Sequence, residues 1–200
     1  MKTTRPYTMG ARADRVEQTR RRVLVAALAL SEKKMTIEIT LEDMAAAAGV
    51  SVQTVLRHFG TRDGVIEAAA QAARADVVEE RLSPPGDVAA AVRTVIAHYE
   101  RRGDFVLRML GQAFADERIR AVVEPGKELH RGWVQEVFAP QLAARRANER
   151  EALTDLLVVA TDLYTWQLLR RDRGLTVKQV ESRMRRLVDA VLESESRRSS

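Results

Sequence analysis

Residues 40–59 read TLEDMAAAAGVSVQTVLRHF, and this pattern predicts two short helices separated by a tight turn. Thr40, with Asp43 three residues later, forms a capping pair at the start of the first helix. Gly49 supplies the left-handed residue that ends this helix, and Ser51 caps the second helix. Two short helices with a glycine in the turn are the layout of a helix-turn-helix.

The side chains of this stretch suit that layout. The small alanines of the first helix let the two helices cross closely. Valines and other apolar residues are spaced to fill the angle between them; these are Leu41, Met44, Val50 and Val55. The second helix then exposes a face that fits the DNA major groove, made of Val52, Gln53, Thr54, Leu56 and Arg57. From spacing alone, an ordinary helical hairpin with glycine in its turn remains the alternative.

The positive charge of the chain is concentrated around the same stretch. The first 62 residues carry 11 Lys and Arg against 6 Asp and Glu, whereas the remaining 138 carry 22 of each. A basic N-terminal third attracts phosphate. The chain has no cysteine, which excludes disulfides, zinc fingers and thiol nucleophiles.

Outward from this stretch, helical periodicity predicts an all-α chain of about nine helices. The expected organisation is a flexible basic arm over residues 1–13, a head over 14–81 that contains the helix-turn-helix, and a larger helical body over 82–200. The head is a three-helix unit with its first helix capped by Asp14, the helix-turn-helix at 40–59 and a linking helix at 61–81 capped by Thr61. The body helices are expected at residues 87–102, 104–114, 116–138 with an interruption at Pro125, 148–171 and 176–192.

No stretch predicts a signal peptide or a membrane span. The most apolar early segment, residues 23–30, is far shorter than the roughly 20 residues that a span needs. We therefore expect a cytoplasmic protein.

The helix-turn-helix stretch resembles the DNA-binding head of the TetR (tetracycline repressor) family of transcriptional regulators. The matching residues are Gly49, Val50, Ser51, Thr54, His58, Phe59, Gly60 and Arg62. Two positions depart from the family pattern: Leu56 stands where an aromatic residue usually contacts the DNA backbone, and Arg62 stands where Lys is usual. The resemblance implies a dimeric regulator, in the first instance a repressor that a small-molecule effector releases from a pseudo-palindromic operator.

The resemblance also implies roles in DNA binding. The implied contact residues are Thr40, Ser51, Val52, Gln53, Thr54, Leu56, Arg57, His58 and Arg62. Gln53 is the best candidate for reading adenine, and Leu56 can meet a thymine methyl group. His58 and Arg62 are expected to fix the register on the phosphate backbone, although His58 can equally pack against the first helix. Arg5 and Arg12 of the arm are either minor-groove contacts or solvated.

In the body, the last two helices carry apolar stripes, which in the family build the dimer. The implied interface residues are Leu153, Leu156, Ala160, Leu163, Val180, Met184, Leu187 and Val191. The same stripes also suit an intramolecular core. The expected effector pocket is apolar and suits a hydrophobic ligand; its lining residues are His98, Tyr99, Phe105, Met109, Trp133, Tyr164 and Gln167. Aromatic residues on helices pack in cores more often than they line pockets.

Alternatives to a regulator have little support in the sequence. Enzyme motifs such as G-x-S-x-G, a glycine-rich phosphate loop and H-E-x-x-H are absent, so we expect no enzyme, no cofactor and no metal. A divalent ion held by His98 and His130 with Glu128 or Asp104 is an alternative. A helical scaffold or adaptor, supported by the Leu56 departure, and a transcriptional activator on the same fold also remain open.

Overall fold

The computed structural model describes residues 8–198 of the chain, with side-chain surroundings for residues 13–194. Every regular element in that part of the chain is a helix, which confirms the all-α expectation. The chain divides into two compact units, one up to Ala75 and one from Asp76 onwards. We call them the head and the body.

The head contains four α-helices and one 3-10 turn: α1 (Thr8–Ser31), the turn Thr36–Glu38, α2 (Leu41–Ala48), α3 (Val52–Phe59) and the first part of α4 (Arg62–Glu80). Its core is built from small and branched apolar side chains, among them Val23, Ile39, Met44, Val55 and Val65, all at most 1% exposed. Ala45 and Ala48 of α2 are buried in this core, and their small side chains let α2 pack closely against its neighbours.

The body contains α5 (Val88–Gln112), α6 (Glu117–Val137), α7 (Ala139–Ala143), α8 (Ala147–Thr161), α9 (Leu163–Gln167) with a π-helical turn over Leu168–Asp172, and α10 (Val177–Arg198). One large core joins these helices from Val88 in α5 to Val188 in α10, with the fully buried Trp166 and Phe138 as its bulkiest members. A smaller cluster of Met109, Ala113 and Ile119 lies at the α5–α6 connection.

Several predicted helix ends are wrong. Helix α1 begins at Thr8, so Asp14 lies inside it rather than capping it. Helix α5 runs through Gly103 without a break. This glycine makes room for the ring of Trp166, since a Cβ there would lie 2.6 Å from Trp166 Cζ3. Helix α6 runs through Pro125, and buried residues on both sides, including Ile119 and Trp133, hold it against the core despite the lost hydrogen bond.

Two further differences concern the second half of the chain. The single helix expected over residues 148–171 is divided at Asp162, whose extended backbone ends α8 and whose Oδ1 accepts a hydrogen bond from the Tyr164 amide at 2.8 Å to start α9. Helix α7 was not expected. The predicted opening of α10 is confirmed, since Thr176 N donates to Gln179 Oε1 at 2.9 Å and Gln179 N donates to Thr176 Oγ1 at 3.3 Å.

The loop of residues 83–86 separates α4 from α5, as expected. The division between the two compact units nevertheless falls at Ala75–Asp76, inside α4, six residues before the expected boundary. One continuous helix therefore begins in the head and ends in the body. None of the described helices combines the length and the hydropathy that a membrane crossing requires.

Candidate nucleic-acid interface

The turn between α2 and α3 has the predicted local structure. Thr40 Oγ1 accepts from the Asp43 amide at 3.1 Å, and the Thr40 amide donates to Asp43 Oδ2 at 3.1 Å. The hydrogen bond from the Thr40 amide to the carboxylate, followed by that from Lys34, holds the pKa of Asp43 below its usual value. Gly49 has φ +65°, and Ser51 Oγ accepts from the Thr54 amide at 3.2 Å. Both caps and the left-handed glycine are thus confirmed.

Helix α3 is held at a fixed angle on α2 and turns one side outward. Val55 is fully buried beside Met44, whereas Gln53, Leu56 and Arg57 are exposed. Leu56 remains 39% exposed although it is apolar, so head packing does not account for it. The other members of the predicted face, Val52 and Thr54, are half-buried.

Two of the residues predicted to contact DNA also interact with neighbours within the head. The Thr54 hydroxyl lies 3.0 Å from Ser51 Oγ, so the two hydroxyls share a hydrogen bond. His58 is half-buried, and the centroid of its ring lies 6.2 Å from the centroid of the Phe59 ring. Thr40 and Ser51 are exposed at the N-termini of α2 and α3, where backbone N–H groups favour a phosphate.

Arg62 points inward, which corrects the expectation of a guanidinium available to phosphate. Its Nε donates to the Ile39 carbonyl at 2.6 Å, its Nη2 donates to the Thr36 carbonyl, and its Nη1 pairs with Asp63 at 2.8 Å. The guanidinium therefore satisfies backbone carbonyls around the 3-10 turn that precedes α2. Its role in this arrangement is to hold α4 to the start of the helix-turn-helix.

Arg20 of α1 is a positioning residue that sequence reasoning missed. Its guanidinium carbon lies 4.7 Å from the centroid of the Phe59 ring, and its Nη1 donates to the His58 carbonyl at 3.4 Å. Arg20 therefore anchors the C-terminal turn of α3 to α1 by a cation–π contact and a carbonyl contact. An arginine on α1 carries no sequence signal that separates this inward role from a solvated one. Arg5 and the side chain of Arg12 lie outside the described residues.

The structure does not bring the seven predicted pocket residues together. His98, Tyr99 and Trp133 are buried in the body around Arg81. Phe105 and Met109 pack in the separate α5–α6 cluster, Tyr164 is 53% exposed and Gln167 is half-buried. Grooves of about 630 Å³ between α1 and α2 and of about 430 Å³ beside α6, α7 and α8 have other linings.

A cation between His98 and His130 is also disfavoured. The Arg81 guanidinium lies beside His130, with Nη1 3.2 Å from Nδ1, and His98 Nδ1 lies 2.8 Å from Glu80 Oε2. Burial, together with the charge of Arg81, lowers the pKa of each histidine to about 4. The same positive charge that discourages protonation repels a metal ion.

Most of the predicted dimer residues are interior to one chain. Five of them are buried in the body core: Leu153, Ala160, Leu163, Val180 and Met184. Leu156 and Leu187 are 42% and 41% exposed, and Val191 is half-buried. The apolar stripes of α8 and α10 therefore face each other within the chain, and the remaining exposed apolar surface lies on their outer sides, with Val159 at 63% exposure.

Several solved structures with the same fold are described as transcriptional regulators. A TetR-family regulator from Streptomyces coelicolor is 19% identical, with 90% of this chain and 82% of that chain covered and a TM-score of 0.67. GusR from Salmonella enterica is 15% identical, with 88% of this chain and 95% of that chain covered and a TM-score of 0.68. A transcriptional regulator from Rhodococcus sp. Rha1 is 16% identical, with 88% of this chain and 96% of that chain covered and a TM-score of 0.66. No protein-family model and no curated protein matches the sequence. The resemblance seen in the helix-turn-helix stretch is thus confirmed at the level of the whole fold: the chain has the fold of TetR-family regulators.

Proposed function

We propose that this chain, which has the fold of TetR-family transcriptional regulators, is a sequence-specific DNA-binding repressor. The observation that carries the proposal is the outer face of α3, where Gln53, Leu56 and Arg57 project from a helix whose angle is fixed by caps and by a buried core. A rigid, exposed helix face with amide, apolar and cationic groups suits the edges of base pairs in the major groove.

Each exposed side chain of α3 has a distinct task in this proposal. Gln53 pairs through its amide with the N6 and N7 edge of adenine, and Leu56 contacts a thymine methyl group. Arg57 reaches a base or a phosphate. The N-termini of α2 and α3, at Thr40 and Ser51, approach phosphates through their backbone N–H groups. Val52, Thr54 and His58 border this surface, and Arg62 supports it from within.

The proposal includes a homodimer, since two heads spaced by about a helical turn read a pseudo-palindrome. Leu156, Leu187 and Val191 are the predicted interface residues that retain exposed surface, and their position on the outer sides of α8 and α10 supports a contact between two bodies. A small-molecule effector that binds the body and weakens DNA binding completes the proposal. The proposal also makes the chain a cytoplasmic regulator rather than an enzyme.

Selection of bound duplexes from a random pool, followed by fluorescence anisotropy, tests this function. Gln53→Ala is expected to lose about 1–3 kcal/mol on the best duplex and to relax one base position. Gln71→Ala replaces an exposed glutamine on α4 and serves as the matched control. Arg62→Met is expected to lower the stability of the head while leaving the salt dependence of binding nearly unchanged, because its guanidinium is already engaged.

Binding of wild-type protein is expected to weaken steeply with salt, because contacts with phosphates release counterions. A pool that yields no enriched sequence, together with binding that does not respond to salt, would refute DNA recognition and favour a scaffold on this fold.

A further inference from the structure

The body buries an arginine without an ion pair. Arg81, which directly follows α4, is only 7% exposed. Its Nη1 donates to Nδ1 of His130 at 3.2 Å, whereas its Nε is buried and has no hydrogen-bond partner. A buried charge normally has a partner of opposite sign, because removing it from water is otherwise costly.

The carboxylates near Arg81 are occupied elsewhere. Glu80 contacts Arg102 at 2.7 Å, Arg101 at 3.3 Å and His98 at 2.8 Å, and the Arg102 hydrogen bond leads the causes that lower its pKa to about 2. Asp162 caps α9, and burial raises its pKa. Among the described residues, Arg81 therefore lacks a carboxylate within ion-pair distance.

The histidines do not change this charge balance. His98 and His130 are neutral near neutral pH, since burial and the Arg81 charge lower the pKa of each to about 4. Neutral His130 accepts the Arg81 hydrogen bond at Nδ1, so its Nε2 carries the proton and donates to Thr161 Oγ1 at 3.3 Å. Thr161 in turn donates to the Leu157 carbonyl at 2.7 Å. The network orients the arginine through neutral groups. The Arg81 charge lowers the pKa of Asp162 through space, against the larger rise caused by burial, but no described carboxylate forms an ion pair with Arg81.

Aromatic rings border the guanidinium. Its carbon lies 5.2 Å from the centroid of Tyr99 and 5.9 Å from that of Trp133. The polar ends of both rings are tied to backbone carbonyls: Tyr99 Oη donates to Thr161 at 3.0 Å and Trp133 Nε1 donates to Arg81 at 2.9 Å. The Arg81 guanidinium, a cationic group with two hydrogen-bonding edges, thus lies among apolar ring faces.

We propose that Arg81 is the binding group for the carboxylate of a small organic acid, with Tyr99 and Trp133 contacting its apolar part. The Nε–H and a neighbouring Nη–H form the edge on which a guanidinium binds a planar carboxylate through two hydrogen bonds. This inference rests on the proposed function, because it makes the organic acid the effector. The site lies at the body end of α4, the helix that begins in the head.

Isothermal titration calorimetry on the full chain tests the site. The probes are acetate, benzoate and decanoate, each beside its neutral amide, with chloride and phosphate at matched ionic strength as inorganic anions. At least one carboxylate is expected to bind, and its amide is expected to bind about tenfold or more weakly, because charge-assisted hydrogen bonds are the stronger ones. Equal binding of acid and amide, binding of none of the three acids, or equal binding of the inorganic anions would overturn the proposal.

Variants connect binding to the arginine. Arg81→Met is expected to lose carboxylate binding, and Arg81→Lys, which keeps the charge but lacks the fork, is expected to retain part of it. Arg93→Met, at an exposed arginine of α5, is the matched control. Without ligand, Arg81→Met is expected to unfold at no lower urea concentration than the wild type, because it removes an unpaired buried charge. Unchanged carboxylate binding in both Arg81 variants would contradict the assignment.

The two proposals fail separately. Anisotropy on a selected duplex, with and without the bound carboxylate, measures DNA recognition and its coupling to the site. Sequence-specific DNA binding with no carboxylate bound at Arg81 would refute the organic-acid effector and leave the DNA-binding function standing. Carboxylate binding through Arg81 without any enriched duplex would refute the DNA-binding function and leave the carboxylate site standing.

Discussion

Mild acid is expected to destabilise the body through its two buried histidines. The pKa of His98 and that of His130 are each lowered to about 4, first by burial and then by the nearby Arg81 charge. In the unfolded chain each titrates near about 6.5. Above that pH both states are neutral and folding is not penalised. As the pH falls from about 6.5 towards about 4, the two histidines bind protons in the unfolded chain but not in the folded chain, so the free energy of unfolding decreases.

The size of this loss follows from the two pKa values. At about pH 5, each histidine costs the folded state about 2 kcal/mol relative to about pH 8, and the pair costs about 4 kcal/mol. The carboxylate Glu80, with its pKa lowered to about 2, adds its own loss only at more acidic pH, below its unfolded value. The interval between about pH 6.5 and about pH 5 therefore reports mainly on the histidines.

Urea unfolding followed by circular dichroism across this interval, at one protein concentration, measures the effect. The wild-type slope is expected to approach two protons per molecule, and His98→Asn or His130→Asn is expected to reduce it to about one. Tyr99→Phe is the control: it removes the hydrogen bond to Thr161 and lowers stability without changing the slope. A flat profile, or a full slope in the double histidine variant, would refute the reasoning.

Two further predictions concern packing. Gly103→Ala is expected to lower the free energy of unfolding by about 1–3 kcal/mol, because its Cβ would collide with the buried Trp166 ring. Gly111→Ala in the same helix, with open space around it, is expected to raise the free energy of unfolding by about 0.5–1 kcal/mol. Urea unfolding measures both, and a Gly103→Ala variant as stable as the wild type would contradict the close approach. Leu187→Glu is expected to give a folded monomer in sedimentation velocity, while Leu163→Glu, in the core, is expected to unfold the body; a dimer that survives Leu187→Glu would place the interface elsewhere.

Features set by neighbouring residues could be predicted from the sequence. The capping pairs Thr40–Asp43 and Thr176–Gln179 and the left-handed Gly49 depend on atoms within one turn of chain, so residue type and spacing suffice. The outward direction of Gln53, Leu56 and Arg57 could also be predicted, because an apolar residue at position 55 fixes which side of α3 is buried, whereas Val52 and Thr54 are half-buried.

Features set by distant residues could not be predicted. Gly103 is a typical helix breaker by type, and only the ring of Trp166 explains why a glycine stands in the middle of α5. The apolar stripes on α8 and α10 indicate that one face of each helix is buried. Periodicity does not show whether the surface that covers this face belongs to the same chain or to a second copy. Arg62 and Arg81 are likewise cations whose inward direction depends on carbonyls and rings far along the chain.

The extent of the body core along the chain has a consequence for biosynthesis. The head closes its core within residues 23–69, so it can fold while later residues are still being added at the ribosome. The body core includes both Val88 of α5 and Val188 of α10, and it stays open until the last helix is made. During that interval the apolar faces of α5 and α6 lack their partners, and a nascent chain with a finished head carries an unfinished body whose exposed apolar surface favours aggregation.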